Sequence, residues 1–289
     1  AFLNAIMTIS AAIIAGLFSK RPVIIDAFYS NFDSVVNDRK KYSRYDPRSL
    51  KLLILDWLGV IVSDLVIADT EAHKRYWQSW LGMKNKKIGV VYIGADDKVF
   101  RPSKPVVKDY ISVLFHGTFI PLQGVDKIVE AARICSAYTG IKFRFIGSGR
   151  TLPAAVSLAE KYDLKNVEFT GAKKLSELNS YLAEADIVLG IFGDTAKADR
   201  VIPNKVFEGL QASRPVMTMD SPAIREIFTG RELLIVHNNP ESIAKGIQSL
   251  AGNMELRDRL AISGYESMKS RFSPKSIGKM FMDVISRTL

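Results

Sequence analysis

The stretch Asp199-Arg200-Val201-Ile202-Pro203-Asn204-Lys205-Val206-Phe207-Glu208-Gly209-Leu210 gathers two cationic and two anionic side chains around a proline. Pro203 sets up a helix start, so Asn204 and Lys205 fall near a helix N-terminus and Glu208 one turn beyond Asn204. There Lys205 can offset phosphate charge, and the Glu208 carboxylate can accept hydrogen bonds from vicinal hydroxyls. Charges set among Val206, Phe207 and Leu210 are costly if buried without a partner. The plain alternative is a Lys205–Glu208 surface pair, worth little.

Two glycine loops offer complementary chemistry. In Phe115-His116-Gly117-Thr118-Phe119-Ile120-Pro121-Leu122-Gln123-Gly124, Gly117 lets the backbone approach a ligand, and the helix after Gly124 could present N–H groups to a phosphate. In Ile146-Gly147-Ser148-Gly149-Arg150, two glycines straddle a hydroxyl directly after an apolar run, so backbone amides can cradle an anion. Neither loop is a full G-x-G-x-x-G or Walker fingerprint, and tight turns explain both equally well. His116 ranks low as a ligand, His73 and His237 show no constellation, and Cys135 reads as core. One cysteine and three dispersed histidines argue against a disulfide framework and a metal site.

The elements that must carry these loops follow from the hydropathy pattern. Apolar β-branched runs at 23–27, 64–68, 89–93, 111–115, 142–146, 167–170, 186–191, 215–219 and 233–236 predict strands buried on both faces. Helical periodicity falls between them, at 49–62, 71–81, 124–138, 152–162, 175–184, 204–212, 222–228 and 240–251. Residues 254–289 are helical too, broken at Ser273-Pro274. This alternation predicts an α/β fold of parallel sheets, whose ligands sit beyond the carboxyl ends of strands. The polar, proline-bearing stretch Asp96–Pro105 marks a boundary. It predicts domains at 1–102 and 103–272, with 273–289 as a final helix. The uncharged residues 1–19 read as a helix packed on the sheet rather than a membrane span.

The chain of 289 residues carries 40 Lys and Arg against 30 Asp and Glu, a surplus of ten. Such a balance favours anionic partners, among them nucleotides, phosphates and an acidic membrane surface. No nucleic-acid-binding pattern stands out, and nucleic acid is not expected as a partner.

The segments HGTFIPLQGVDKIVEAA, FRFIGSGR, VEFTGAKKLSELNSYLAEADIVLGIF and IPNKVFEGLQASRPVMTMDSPAIREIF, in this order, resemble the C-terminal nucleotide-sugar domain of family-4 glycosyltransferases. VIADTEAHKRYW and VVYIGADDKVFRP resemble the end of that family's N-terminal domain and its linker. The resemblance implies the GT-B fold: two Rossmann-like domains facing across a cleft, the N-terminal one incomplete here. It implies hexosyl transfer from a nucleotide-diphosphate sugar to a glycan or lipid-linked acceptor hydroxyl, with retention and without cofactor or metal. Glu208 matches the second Glu of the family's glutamate pair, and Gly117 and Thr118 match its diphosphate-facing loop. Gly147, Ser148, Gly149, Pro203, Asn204 and Lys205 complete the implied donor site. The last helix would cross back to the N-terminal domain.

Three departures stand out. The first Glu of the pair is replaced by Arg200, with Asp199 or a backbone group as its substitute. The family's Arg and Lys on the first loop correspond to the neutral Thr118 and Gln123. Lys205, Arg200 and Asp199 are therefore the catalytic candidates, with charge compensation at the departing diphosphate as the main requirement. Only about a hundred residues precede the linker, and the chain opens on Ala1, so the sequence is expected to begin inside a longer protein. Asp26, Phe28 and Tyr29, at the end of the first strand, would be what remains of the acceptor side, and strand-end packing explains them equally well. Alternatives are another GT-B enzyme, such as a nucleotide-sugar epimerase, and a non-catalytic basic surface-binding fragment. The expected location is cytoplasmic, peripheral on the inner face of a membrane.

Overall fold

The computed structural model describes residues 22–80, 82–104 and 106–289. The helix expected over residues 1–19 lies outside these. Two compact units emerge. The first holds the described residues up to Ile93 together with Thr195–Ile202 and Lys275–Leu289. The second holds Gly94–Asp194 and Pro203–Pro274.

In the first unit, strands β1 (Ile24–Asp26), β2 (Leu65–Ala68) and β3 (Ile88–Val90) form a parallel sheet in that order. Helices α1 (Pro47–Val62) and α2 (Glu71–Gln78) connect them. Alternate residues of β2 face opposite ways. Val66 and Ala68 pack with Val60 of α1 and Trp77 of α2, whereas Leu65 and Ile67 pack with Ile277, Phe281 and Val284. Those last residues belong to the final helix of the chain, Pro274–Thr288. It lies so close to β3 that a Cβ on Gly89 would stand 2.1 Å from Val284. Asp46 caps α1 by accepting the Arg48 amide, and Thr70 caps α2 by accepting the His73 amide.

The sequence does not foresee the π-helical turn Asp33–Asp38, because DSVVND is short and polar and carries no apolar period. The helix expected over 71–81 is shorter, ending at Gln78 with Ser79 as its cap.

The second unit is built on six parallel strands. They are β4 (Ile111–His116), β5 (Ile141–Ile146), β6 (Val167–Phe169), β7 (Ile187–Leu189), β8 (Val216–Met219) and β9 (Leu234–Val236). Helices α3 (Val125–Cys135), α4 (Leu152–Lys161), α5 (Leu175–Glu184), α6 (Asn204–Gln211), α7 (Pro222–Ile227), α8 (Pro240–Gly252) and α9 (Met254–Arg271) complete it. The spatial order β6-β5-β4-β7-β8-β9 reverses direction between β4 and β7. Such a reversal opens a crevice at the carboxyl ends of the two central strands. The loops leaving β4 and β7 are the histidine–glycine loop and the segment that leads into α6. Phe115, Phe119, Phe145 and Phe169 stack beneath the first of these loops and hold it to the sheet. Cys135 is core, with burial pushing its thiol up to about 11.

Candidate functional site

The two glycine loops of the second unit form one interlocked platform. The Gly117 amide donates to Ile146 O, and the Phe119 amide donates to Ser148 O, both at 2.9 Å. Thr151 N closes the other side by donating to Phe119 O at 3.1 Å. Gly117, Gly147 and Gly149 adopt φ of 142°, 141° and 149°. Contact is close enough that a Cβ on Gly147 would meet Gly117 O at 1.9 Å, and one on Gly149 would meet Phe119 O at 2.5 Å. The glycines therefore let two backbones touch and hold Thr118 and Ser148 exposed on the upper surface.

Helix α6 brings its charged side chains to this platform. Pro203 is its N-cap and contributes no side-chain acceptor, while its carbonyl oxygen accepts the Val206 amide at 3.0 Å. Asn204 is exposed. Lys205 is only 4% exposed, which removes the surface-pair alternative. Its Nζ donates to Gln123 Oε1 at 2.5 Å and lies 3.6 Å from the centre of the Phe115 ring. The same Nζ would be 2.9 Å from a Cβ at Gly117, so the missing side chain of that glycine is the space the ammonium reaches. Gln123 is thus the amide that holds Lys205.

Burial depresses the Lys205 ammonium well below its usual value, with Glu208 opposing the shift. Burial also pushes the Glu208 carboxyl up to about 7, opposed by Lys205. His116 Nδ1 lies 3.7 Å from Glu208 Oε2. Burial and the Lys205 charge depress the imidazole to about 3, so the ring is neutral and the contact is not an ion pair. Its Nε2 is buried without a hydrogen-bond partner. Both charged groups of α6 are therefore under-compensated, and each would gain from a ligand: the ammonium from an anion, the carboxylate from hydroxyl donors.

Arg200 and Asp199 fall in the first unit. Expected as a diphosphate cation, Arg200 is instead engaged elsewhere. Its Nη2 donates to both carboxylate oxygens of Asp33 at 2.8 and 2.9 Å, and its guanidinium stacks 4.2 Å over Tyr76. Thr70 Oγ1 donates to Arg200 O at 2.5 Å and fixes the backbone as well. A guanidinium so paired has little charge left for a ligand, although its Nε is buried without a partner. Asp199 is exposed. On the same stretch Lys197 is buried, donates to Ser34 Oγ and lies 4.7 Å over the Tyr29 ring. Asp26 accepts the Phe28 amide at 3.1 Å, and burial pushes its carboxyl up. Asp56 of α1 receives Ser30 Oγ, Asn31 Nδ2 and Phe32 N at 2.8 to 3.1 Å and so holds the loop after β1.

His73, which shows no constellation in the sequence, has one. Its Nδ1 lies 2.6 Å from Asp69 Oδ1, both side chains are buried, and the ring stacks on Trp77. The i, i+4 spacing of Asp69 and His73 was the available signal. Asp33, Ser34 and Lys197 had none, because their partners lie more than 160 positions away. Among the described residues, no group of three or more His, Cys, Asp or Glu is arranged to hold a metal ion. Among those residues too, no helix is long and apolar enough to cross a membrane.

Residues 96–267 match the family described as glycosyl transferases group 1. Uncharacterized glycosyltransferase MJ1178 of Methanocaldococcus jannaschii is 26% identical over 196 residues, covering 65% of this chain and 50% of the relative. The lipopolysaccharide core biosynthesis glycosyltransferase LpsD of Rhizobium meliloti is 23% identical over 198 residues, covering 65% and 54%. The chain thus spans about half the length of the curated relatives it matches. Among solved structures, Anabaena HepE in complex with UDP and glucose superposes with a TM-score of 0.79 at 15% identity, covering 99% of this chain and 77% of that one. That likeness shows the fold, parallel-sheet α/β with GT-B glycosyltransferases as its structural neighbours.

Proposed function

Since the chain belongs to the glycosyl transferases group 1 family, we propose that it moves a hexosyl group from a nucleotide-diphosphate sugar to an acceptor hydroxyl, with retention and without a metal. The observation that carries this reading is the pair of under-compensated charges on α6, Lys205 and Glu208, set at the platform of Gly117 and Gly147. In this reading the diphosphate lies over the glycine loops and the α6 N-terminus, near Thr118, Ser148 and Asn204. Lys205 supplies the compensating charge, and Glu208 accepts hydrogen bonds from the ribose hydroxyls. The bond between the anomeric carbon and the diphosphate oxygen breaks. The acceptor oxygen takes that carbon on the same face, and its proton passes to the departing diphosphate. Exposed Asp199 is the candidate for the sugar hydroxyls, in the role the family gives its first Glu. Arg200 is left out of the charge compensation, because Asp33 already holds it.

The acceptor is a glycan or a lipid-linked saccharide, and the chain works in the cytoplasm beside the inner face of a membrane. Asp26, Phe28 and Tyr29 remain the acceptor-side candidates. Isothermal titration with UDP, UDP-glucose and the GDP and ADP counterparts tests the donor reading. One nucleotide-diphosphate sugar should bind at micromolar affinity, and Glu208→Ala should weaken it at least tenfold. Absence of binding by every nucleotide would overturn the reading.

A further inference from the structure

Helix α1 has its polarity reversed relative to an ordinary surface helix. Its sequence, PRSLKLLILDWLGVIV, holds one carboxylate, and that carboxylate, Asp56, is buried and points inward to Ser30, Asn31 and Phe32. Ser49, Gly59 and Val60 share the inward face. The opposite face carries Leu50, Ile54 and Ile61, which are 55%, 45% and 40% exposed. At 100° per residue these three fall within about 40° of one another and run about 16 Å along the helix. Lys51 flanks them and is exposed.

The loop before α1 adds charge at the end of this stripe. Residues 39–51 hold six basic side chains and one acidic one, Asp46, so half of the chain's surplus of ten lies in this segment. Asp46 is already taken by its cap and by the Arg48 guanidinium at 2.8 Å. Lys40, Lys41 and Arg44 are exposed, and Tyr45 is 94% exposed. The loop is tied to the helix: Ser49 Oγ donates to Ser43 O at 2.7 Å, and Arg48 stacks 4.1 Å over Tyr42. Cationic loop and apolar stripe therefore form one continuous surface.

We propose that this surface docks on an anionic lipid bilayer. Lys40, Lys41, Arg44 and Lys51 meet the lipid phosphates, while Tyr45, Leu50, Ile54 and Ile61 enter the headgroup boundary. An apolar stripe flanked by exposed cations, with an aromatic ring at the junction, is the chemistry an interfacial helix needs. A phosphate backbone has no use for the leucine and isoleucines, and a protein interface core tends to exclude lysine. The docking is independent of the transfer reading: a chain that binds vesicles but no nucleotide keeps this inference and loses the other.

Co-sedimentation of the full chain with phosphatidylcholine vesicles, with and without 30% phosphatidylglycerol, tests it. The anionic vesicles should bind at least tenfold more tightly, and 0.5 M salt should reduce that binding sharply. The triple variant Lys40→Gln, Lys41→Gln, Arg44→Gln should lose about tenfold. The variant Leu50→Ser, Ile54→Ser, Ile61→Ser should lose a similar factor and keep only binding that salt abolishes. Both variants should retain the wild-type melting temperature and nucleotide affinity. Equal binding to both vesicle types, unchanged vesicle binding by either variant, or a dimer of the wild type that the serine variant dissociates would overturn the proposal.

Discussion

Two charged clusters of this molecule, one in each unit, are opposites. In the first unit Arg200 and Asp33 meet through two hydrogen bonds, with Tyr76 as a platform and Thr70 fixing the backbone. In the second unit Lys205 has one amide oxygen and a ring face, Glu208 has a neutral histidine at 3.7 Å, and burial pushes both toward neutrality. The first cluster pairs its opposite charges directly, with Arg200 Nε left buried without a partner, so its removal should cost stability. The second is incomplete, so its removal should cost binding and relieve the empty protein. Charge alone does not separate a scaffold from a site; the degree of compensation does.

Breaking the paired cluster should give the largest effect. Asp33→Ala leaves a partly buried guanidinium without its carboxylate and should lower the unfolding free energy by about 4 kcal/mol, read from urea midpoints. Nucleotide affinity should stay within a factor of about two, because the residues assigned to the diphosphate lie elsewhere.

The next effect tests the incomplete cluster through pH. The folded-state value of Glu208 lies near 7, above its unfolded value, so the folded protein binds the extra proton. Stability from this group is therefore present at low pH and lost as pH rises from about 4.5 through 7, on the order of 3 kcal/mol. Glu208→Gln should flatten that part of the stability profile, measured as the difference between wild type and variant at each pH.

Lys205→Met sharpens the contrast further. The variant should be more stable than wild type without ligand, by about 1 kcal/mol. UDP should bind it roughly 30-fold more weakly, which corresponds to about 2 kcal/mol. The smallest effect is expected at Thr118, exposed on the platform and neutral where the family resemblance places an arginine. Thr118→Arg should tighten UDP binding about fivefold, roughly 1 kcal/mol, in low salt and less in high salt.

The strands and helices of both units could be read from the sequence because buried parallel strands are unbroken apolar runs. DLVIA and ISVLF have no solvent face to alternate with, and the structure forms buried strands within both, whereas the strand within VIIDA is half-buried. Lys205 and Glu208 were visible for a related reason, since two charges among Val206, Phe207 and Leu210 on a short helix need a purpose. What stayed hidden was pairing at a distance. Nothing near Arg200 announces Asp33, 167 positions earlier, and without that partner a guanidinium close to Lys205 and Glu208 reads as a ligand contact. Gln123 shows the same limit: its neutral side chain reads as a lost charge, and only the fold shows it holding Lys205. The Asp69–His73 contact was within reach, because residues four apart on a helix start face each other.

Burial depresses the Lys205 ammonium, and a bound diphosphate would stabilise it. Titrating UDP calorimetrically at pH 8 in buffers of different ionisation enthalpy measures the protons exchanged on binding. The wild type should take up protons as the anion raises the depressed Lys205 value, and Lys205→Met should take up none and bind weakly. Tight UDP binding with no proton uptake, equally strong in Lys205→Met, would contradict the assignment of the site.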